Sequence, residues 1–156
     1  MRINIIVVLL LVTLFSLVSL TSGISCNNPE RYSGRNVCDH SGKIIISLFT
    51  TYSRMLLLGD YCGECVSFVK KCTGDRRATS QWRQGKRVRT TRVPYGAAIA
   101  TFPNGKYSGH AAIYISQDSV GIQVWDQWRG HTVSKRTIRW NGTGLSNNGD
   151  SFYVIN

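Results

Sequence analysis

Acidic residues are scarce in this sequence, with 8 Asp and Glu against 19 Lys and Arg in 156 residues. A chain with a net charge of +11 is drawn to polyanions, so nucleic acid, glycosaminoglycan, anionic membrane and bacterial wall are the surfaces to weigh. Proline is rare at 3, and the 15 glycines follow no fixed period, which excludes a collagen-like chain. Charged residues make up 17% and hydrophobic residues 42%, a balance that rules out long disorder. No internal repeat is present, which excludes a solenoid.

One long hydrophobic run is present, and it stands at the start. Arg2 precedes an uncharged stretch from Ile3 to Leu20, and the small residues Thr21, Ser22 and Gly23 follow. A basic start, an apolar core and a small-residue exit predict a secretory signal peptide over 1–22, cleaved near Ser22 or Gly23. An uncleaved anchor is the alternative, because the run approaches bilayer-spanning length. Cleavage leaves a single domain, 23–156, that loses only Arg2 among its charges and so carries +10.

The five cysteines, Cys26, Cys38, Cys62, Cys65 and Cys72, all belong to that domain. Outside the cell, disulfides are expected, and an odd count leaves one thiol over. The segment GECVSFVK places Cys65, Phe68, Val69 and Cys72 on one helical face, with Asp60 near the cap and Gly74 at the end. Cys65 then sits in the first turn. Across a helix, residues seven apart are separated by about 10 Å of rise. Cys62 precedes Cys65, so a Cys62–Cys72 bridge exceeds the reach of a disulfide. If Cys65 is free, Cys62 and Cys72 each pair with Cys26 or Cys38, stapling the N-terminal loop to the helix.

Residues 24–43 read as a loop, and 44–58 (IIISLFTTYSRMLLL) as an apolar helix or buried strand. A basic stretch with Arg76, Arg77, Arg83, Lys86, Arg87, Arg89 and Arg92 follows the helix. It contributes either to wall attraction or only to a solvated face. From Val93 on, apolar runs alternate with turns, giving strands at VPYGAAIATF, HAAIYIS, GIQVWDQW, TIRW and SFYVIN. The chain is predicted to be α+β, with helices ahead of an antiparallel sheet.

A thiol at a helix N-terminus feels the positive end of the macrodipole, which favours thiolate. His110, opening a strand, can take its proton. On the next strand Asp126 can hold the imidazole in one tautomer, and the amide of Gln127 is the alternative. First-turn N–H groups can form an oxyanion hole. On periodicity alone, Cys65 also fits as a small buried core residue. His110 equally fits a satisfied core histidine.

The strings GECVSFVK, PYGAAIATFPNGKYSGHAAIYIS and IQVWDQW resemble the NlpC/P60 and CHAP papain-like amidases. More closely, Gly63 to Tyr153 is similar to the second family of type VI secretion amidase effectors, bacterial toxins that cut peptidoglycan peptides. The leader and extra cysteines resemble the arthropod-domesticated, secreted form. The resemblance implies a papain-like fold with Cys65 as nucleophile, His110 as base and Asp126 as third residue. WDQW stands where CHAP enzymes tend to have Glu-Gln-Asn, so the third residue is left open. It also implies hydrolysis of a D-alanyl to meso-diaminopimelate bond, with no metal and no cofactor. Tyr107, Trp125, Gln127 and Trp128 flank the site as candidate substrate contacts. The expected partner is bacterial peptidoglycan rather than nucleic acid, bound by a monomer with no stable membrane insertion once the leader is removed.

Two other classes fit the composition. A small basic ribonuclease would use two of His40, His110 and His131, although the odd cysteine then has no role. A non-catalytic cationic binding protein would need no cysteine chemistry. His40 and His131 lie in polar contexts and read as surface residues, and Asn141-Gly142-Thr143 forms a glycosylation sequon.

Overall fold

The computed structural model describes residues 23–39 and 61–156. The leader, His40, the apolar run 44–58 and Asp60 lie outside the described residues. Two short strands, β1 (Cys38–Asp39) and β2 (Tyr61–Cys62), pair antiparallel and lead into helix α1 (Cys65–Thr73). Six further strands form one antiparallel sheet. They are β3 (Gln84–Arg87), β4 (Ala98–Thr101), β5 (Ala111–Gln117), β6 (Gly121–Trp128), β7 (His131–Arg139) and β8 (Phe152–Ile155). Their order is β3-β8-β4-β5-β6-β7.

Helix α1 begins at Cys65 because Glu64 is extended, at φ −90° and ψ 149°, and takes the cap position expected for Asp60. It ends where Gly74 turns left-handed at φ 73°. Its buried face is Cys65, Ser67, Phe68 and Val69, with Cys72 partly covered. That face packs on β5 and β6.

The sheet is apolar on both faces, so its strands read as near-continuous hydrophobic runs. Ala98, Ala100, Ala111 and Ile113 face the α1 side together with Phe68, Val69 and Trp125. Ile99, Ala112, Tyr114, Val124 and Ile138 face the opposite side with Val88 and Phe152. Ala100 pairs with Ala111 across β4 and β5. Small side chains at this point allow the helix start to approach the strand that carries His110.

Among the described residues α1 is the single α-helix, where the sequence reading had helices in the plural. β3 is a strand inside the basic stretch that the reading left without one. It escaped notice because it is mostly exposed and lacks apolar alternation. What holds it is pairing with β8 and the reciprocal backbone bonds between Arg83 and Asn156. TIRW is the end of a longer strand, β7, whose outer positions are polar. Arg129 and Gly130 form the two-residue turn between β6 and β7, since Trp128 pairs with His131.

The structure joins Cys26 to Cys72 and Cys38 to Cys62. The first ties the segment before β1 to the end of α1. The second links β1 to β2 just ahead of the helix start. Cys65 remains a free, buried thiol.

Candidate active site

Cys65 opens α1, His110 stands one residue ahead of β5 and Asp126 lies near the end of β6, and the structure brings them together. Asp126 is fully buried, and Cys65 and His110 are 8% and 6% exposed. His110 Nε2 lies 2.8 Å from both Asp126 oxygens. That leaves Nδ1 as the imidazole nitrogen available to Cys65, with which His110 shares a hydrogen bond. The thiol sulfur also lies 3.9 Å from the Tyr107 hydroxyl and accepts from the Ala111 N–H.

The position of His110 follows from local backbone chemistry. Thr101 at the end of β4 donates its hydroxyl to the Ser108 carbonyl and accepts from the His110 N–H at 3.0 Å. The Thr101 N–H donates to the His110 carbonyl at 3.0 Å. Gly109, at φ +97°, makes the turn between them. A Cβ there would lie 2.8 Å from both the Thr101 hydroxyl and Leu145. The Gly-His pair is thus required by sterics as well as by chemistry.

The helix start is held by Gln127, which has no exposure. Its amide oxygen accepts from Val37 N at 2.7 Å, and its nitrogen donates to Val37 O and Glu64 O, each at 3.0 Å. Gln127 was expected against substrate; in the structure both ends of its amide meet backbone. Asp126 rather than Gln127 meets the imidazole. The Glu64 carboxylate caps none of the first-turn N–H groups and points to Arg129, with Oε1 at 3.1 Å from Nη2. The N–H groups of Cys65 and Val66 precede the first helical bond, from Phe68 N to Glu64 O, and carry the positive end of the dipole.

These contacts set opposite shifts on the pair. Burial raises the Cys65 thiol, but the His110 hydrogen bond and charge, the Ala111 N–H and the Tyr107 hydroxyl outweigh it, so its pKa is lowered. Burial lowers the His110 imidazole, yet Asp126 and Cys65 push it up to about 9. Both shifts favour the thiolate–imidazolium pair over the neutral one. Tyr107 is raised, first by burial and then by the neighbouring Cys65, so it stays a hydroxyl donor.

Tyr107 also lines a cavity of about 620 Å³ with Ser80, Trp82, Arg83, Asn104 and Lys106. Its ring packs edge-on against Trp82 at 5.0 Å. The cavity thus adjoins the thiol through one side chain. The other aromatic candidates are engaged elsewhere. Trp125 is core, 6% exposed. Trp128 is half-buried, stacked on His131 at 4.1 Å and covered by the Arg136 guanidinium at 5.2 Å. His131 is exposed, as read from the sequence. Sequence reasoning missed Trp82, Thr101 and Arg136. Trp82 lies within a basic stretch, and Arg136 stands just ahead of the TIRW run, where no local pattern marks it as inward-facing.

The order of elements and the sheet around this thiol are those of the papain-like NlpC/P60 fold. A solved structure named "Type 6 secretion amidase effector 2 (Tae2)" superposes with a TM-score of 0.53 at 34% identity, covering 59% of this chain and 79% of that one. The family model for "Domesticated amidase effector 2" matches residues 15–155, and the chain belongs to that family. It is 37% identical over 146 residues to "Domesticated amidase effector 2" of Ixodes scapularis, across 89% of each protein. It is 33% identical over 112 residues to "Type VI secretion amidase effector 2 protein" of Salmonella typhi, across 59% of this chain and 84% of that protein.

Proposed function

We propose that the chain is a secreted antibacterial peptidoglycan amidase that hydrolyses peptide crosslinks of the D-alanyl to diaminopimelate type with Cys65 as nucleophile. The observation that carries this is the buried free thiol in hydrogen-bond contact with an imidazole whose other nitrogen is held by Asp126. Membership of a family named for amidase effectors supports the substrate class.

The thiolate sulfur of Cys65 attacks the amide carbonyl carbon, and the carbonyl electron pair moves to oxygen. First-turn N–H groups of α1 stabilise that oxyanion in a site poor in water. His110 gives its Nδ1 proton to the amide nitrogen, the C–N bond breaks and the amine leaves, with a thioester on Cys65. His110 then takes a proton from water as that water attacks the thioester. Collapse releases the carboxylic acid and restores the thiolate. Asp126 holds the imidazole throughout and keeps Nδ1 aimed at sulfur. The cavity beside Tyr107 receives the stem peptide, and the net positive charge draws the enzyme to an anionic wall. The predicted leader and two disulfides support an extracellular place of action.

Digesting purified sacculi and separating the muropeptides tests the reading. Wild type converts crosslinked dimers to monomers, and Cys65→Ala does not. Intact crosslinks after wild-type digestion would overturn it. Wall binding or killing that persists in Cys65→Ala and fades with salt would point to a non-catalytic cationic protein instead.

A further inference from the structure

The Asp126 carboxylate is fully buried and holds more than the imidazole. Its Oδ1 accepts from the Gln127 N–H at 2.7 Å, and its Oδ2 accepts from Arg136 Nε at 2.6 Å. Arg136 stands on β7, the strand beyond β6, and its side chain is 23% exposed. The remaining guanidinium groups are also engaged. Nη1 donates to Asn147 Oδ1 at 2.8 Å, and Nη2 donates to the Ser146 carbonyl at 3.1 Å. The plane lies over the Trp128 ring. One side chain thus joins the buried carboxylate to the loop ahead of β8, whose Leu145 packs beside Gly109, next to His110.

We infer that Arg136 is a positioning residue for this site, fixing the Asp126 carboxylate and dividing its charge between two cations so that His110 can release its proton to the leaving amine. The inference rests on the cysteine amidase reading. A carboxylate serving His110 alone would hold the imidazolium more tightly, and a tightly held proton is a poor general acid. Opposite charges within contact distance favour each other's ionised form, so a second cation on Asp126 competes with the first. Arg suits the position because its planar fork reaches three acceptors at once, which a Lys ammonium cannot do in this geometry.

The groups that face His110 come from every packed element. They are Cys65 from α1, Asp126 from β6, the Thr101 hydroxyl from β4 and the edge of the Phe152 ring from β8. Tyr107 acts on the pair through Cys65. Removing Arg136 takes one of the two cations away from Asp126 and leaves the groups around His110 in place.

The experiment is an NMR titration of the His110 ring in the full protein, together with sacculus digestion. In Arg136→Met the imidazole pKa rises by about one unit. Turnover falls roughly ten- to a hundredfold as Asp126 loosens. Arg136→Lys returns most of the pKa shift and less of the rate. Asn147→Ala releases the loop without touching Asp126, so it lowers thermal stability and leaves the His110 titration where it was. If Arg136→Met does not fold, Arg136→Gln takes its place. An unmoved imidazole in the Met or Gln variant overturns the inference, as does an equal shift in Asn147→Ala. The titration needs no substrate. Failure of every version to digest sacculi would therefore remove the amidase reading, while the titration by itself upholds or overturns the role of Arg136.

Discussion

The side-chain amide of Gln127 donates to the carbonyl of Glu64 at 3.0 Å, one residue ahead of the free thiol. The same amide exchanges two hydrogen bonds with the backbone of Val37. One buried side chain on β6 thus holds both the N-terminal segment and the start of α1. Gln127→Leu leaves three backbone groups without that partner. An unsatisfied buried group costs about 1–3 kcal/mol. Partial relaxation toward water brings the expected loss to about 3 kcal/mol in denaturant unfolding. Turnover should fall as well, because the sulfur is no longer fixed against His110. A stability loss under about 0.5 kcal/mol, typical of an uninvolved surface site, would show that the clamp is unimportant.

Activity should be bell-shaped in pH. The working state needs a thiolate and an imidazolium together. The rate rises as pH climbs through the lowered Cys65 value and falls as pH passes through about 9, where His110 loses its proton. The stability contribution has a definite sign. His110 is raised above its ordinary 6.5, so what it contributes is complete below 6.5 and lost as pH climbs through about 9. Removing the partners separates the causes. In His110→Ala the two largest causes that lower the thiol are gone, so its pKa rises. Tyr107→Phe removes one weaker donor and produces a smaller rise. Alkylation of Cys65 by iodoacetamide across pH reads both. Equal alkylation profiles in wild type and His110→Ala would show that the imidazole does not activate the thiol.

What could be read from the sequence was whatever repeats at short range. The i, i+3, i+4 spacing around Phe68 and Val69 gave α1, and Gly74 gave its end. The apolar runs from Ala97 to Ile155 gave four of the six sheet strands nearly in place. β3 has no such pattern, because an exposed edge strand is specified by its partner β8 rather than by its own residues. Asp126 and Gln127 are neighbours with exchangeable chemistry, and only the register of β6 decides which one meets His110. Trp125 and Trp128 look alike in a motif, yet one faces the α1 side of the sheet and the other ends the strand against His131. Arg136 shows the limit most clearly. Its strand neighbours Lys135 and Arg139 are exposed, and no spacing rule separates a cation that reaches inward from those that do not.

The two disulfides should fail differently. Cys26–Cys72 closes a separation of 46 residues, and Cys38–Cys62 one of 24. In the chain-entropy model, each taken singly, these correspond to about 4 and about 3.5 kcal/mol. The longer closure therefore contributes more to stability. Position reverses the order for activity. Cys26–Cys72 grips the last turn of α1, remote from the thiol at its first residue. Cys38–Cys62 joins β1 to β2 beside Val37, whose carbonyl accepts from the Gly63 N–H and whose backbone Gln127 holds. Loosening it frees the approach to Cys65. Cys26→Ser with Cys72→Ser should lower the melting temperature more. Cys38→Ser with Cys62→Ser should lower sacculus digestion more at a temperature where both variants stay folded. Cys62 is exposed and Cys26 is 3% exposed, so mild reductant should open the activity-linked bridge first. Melting curves and digestion rates, each with and without reductant, check the order. Larger activity loss from the Cys26 and Cys72 pair would mean that the end of α1, rather than its start, controls where the sulfur sits.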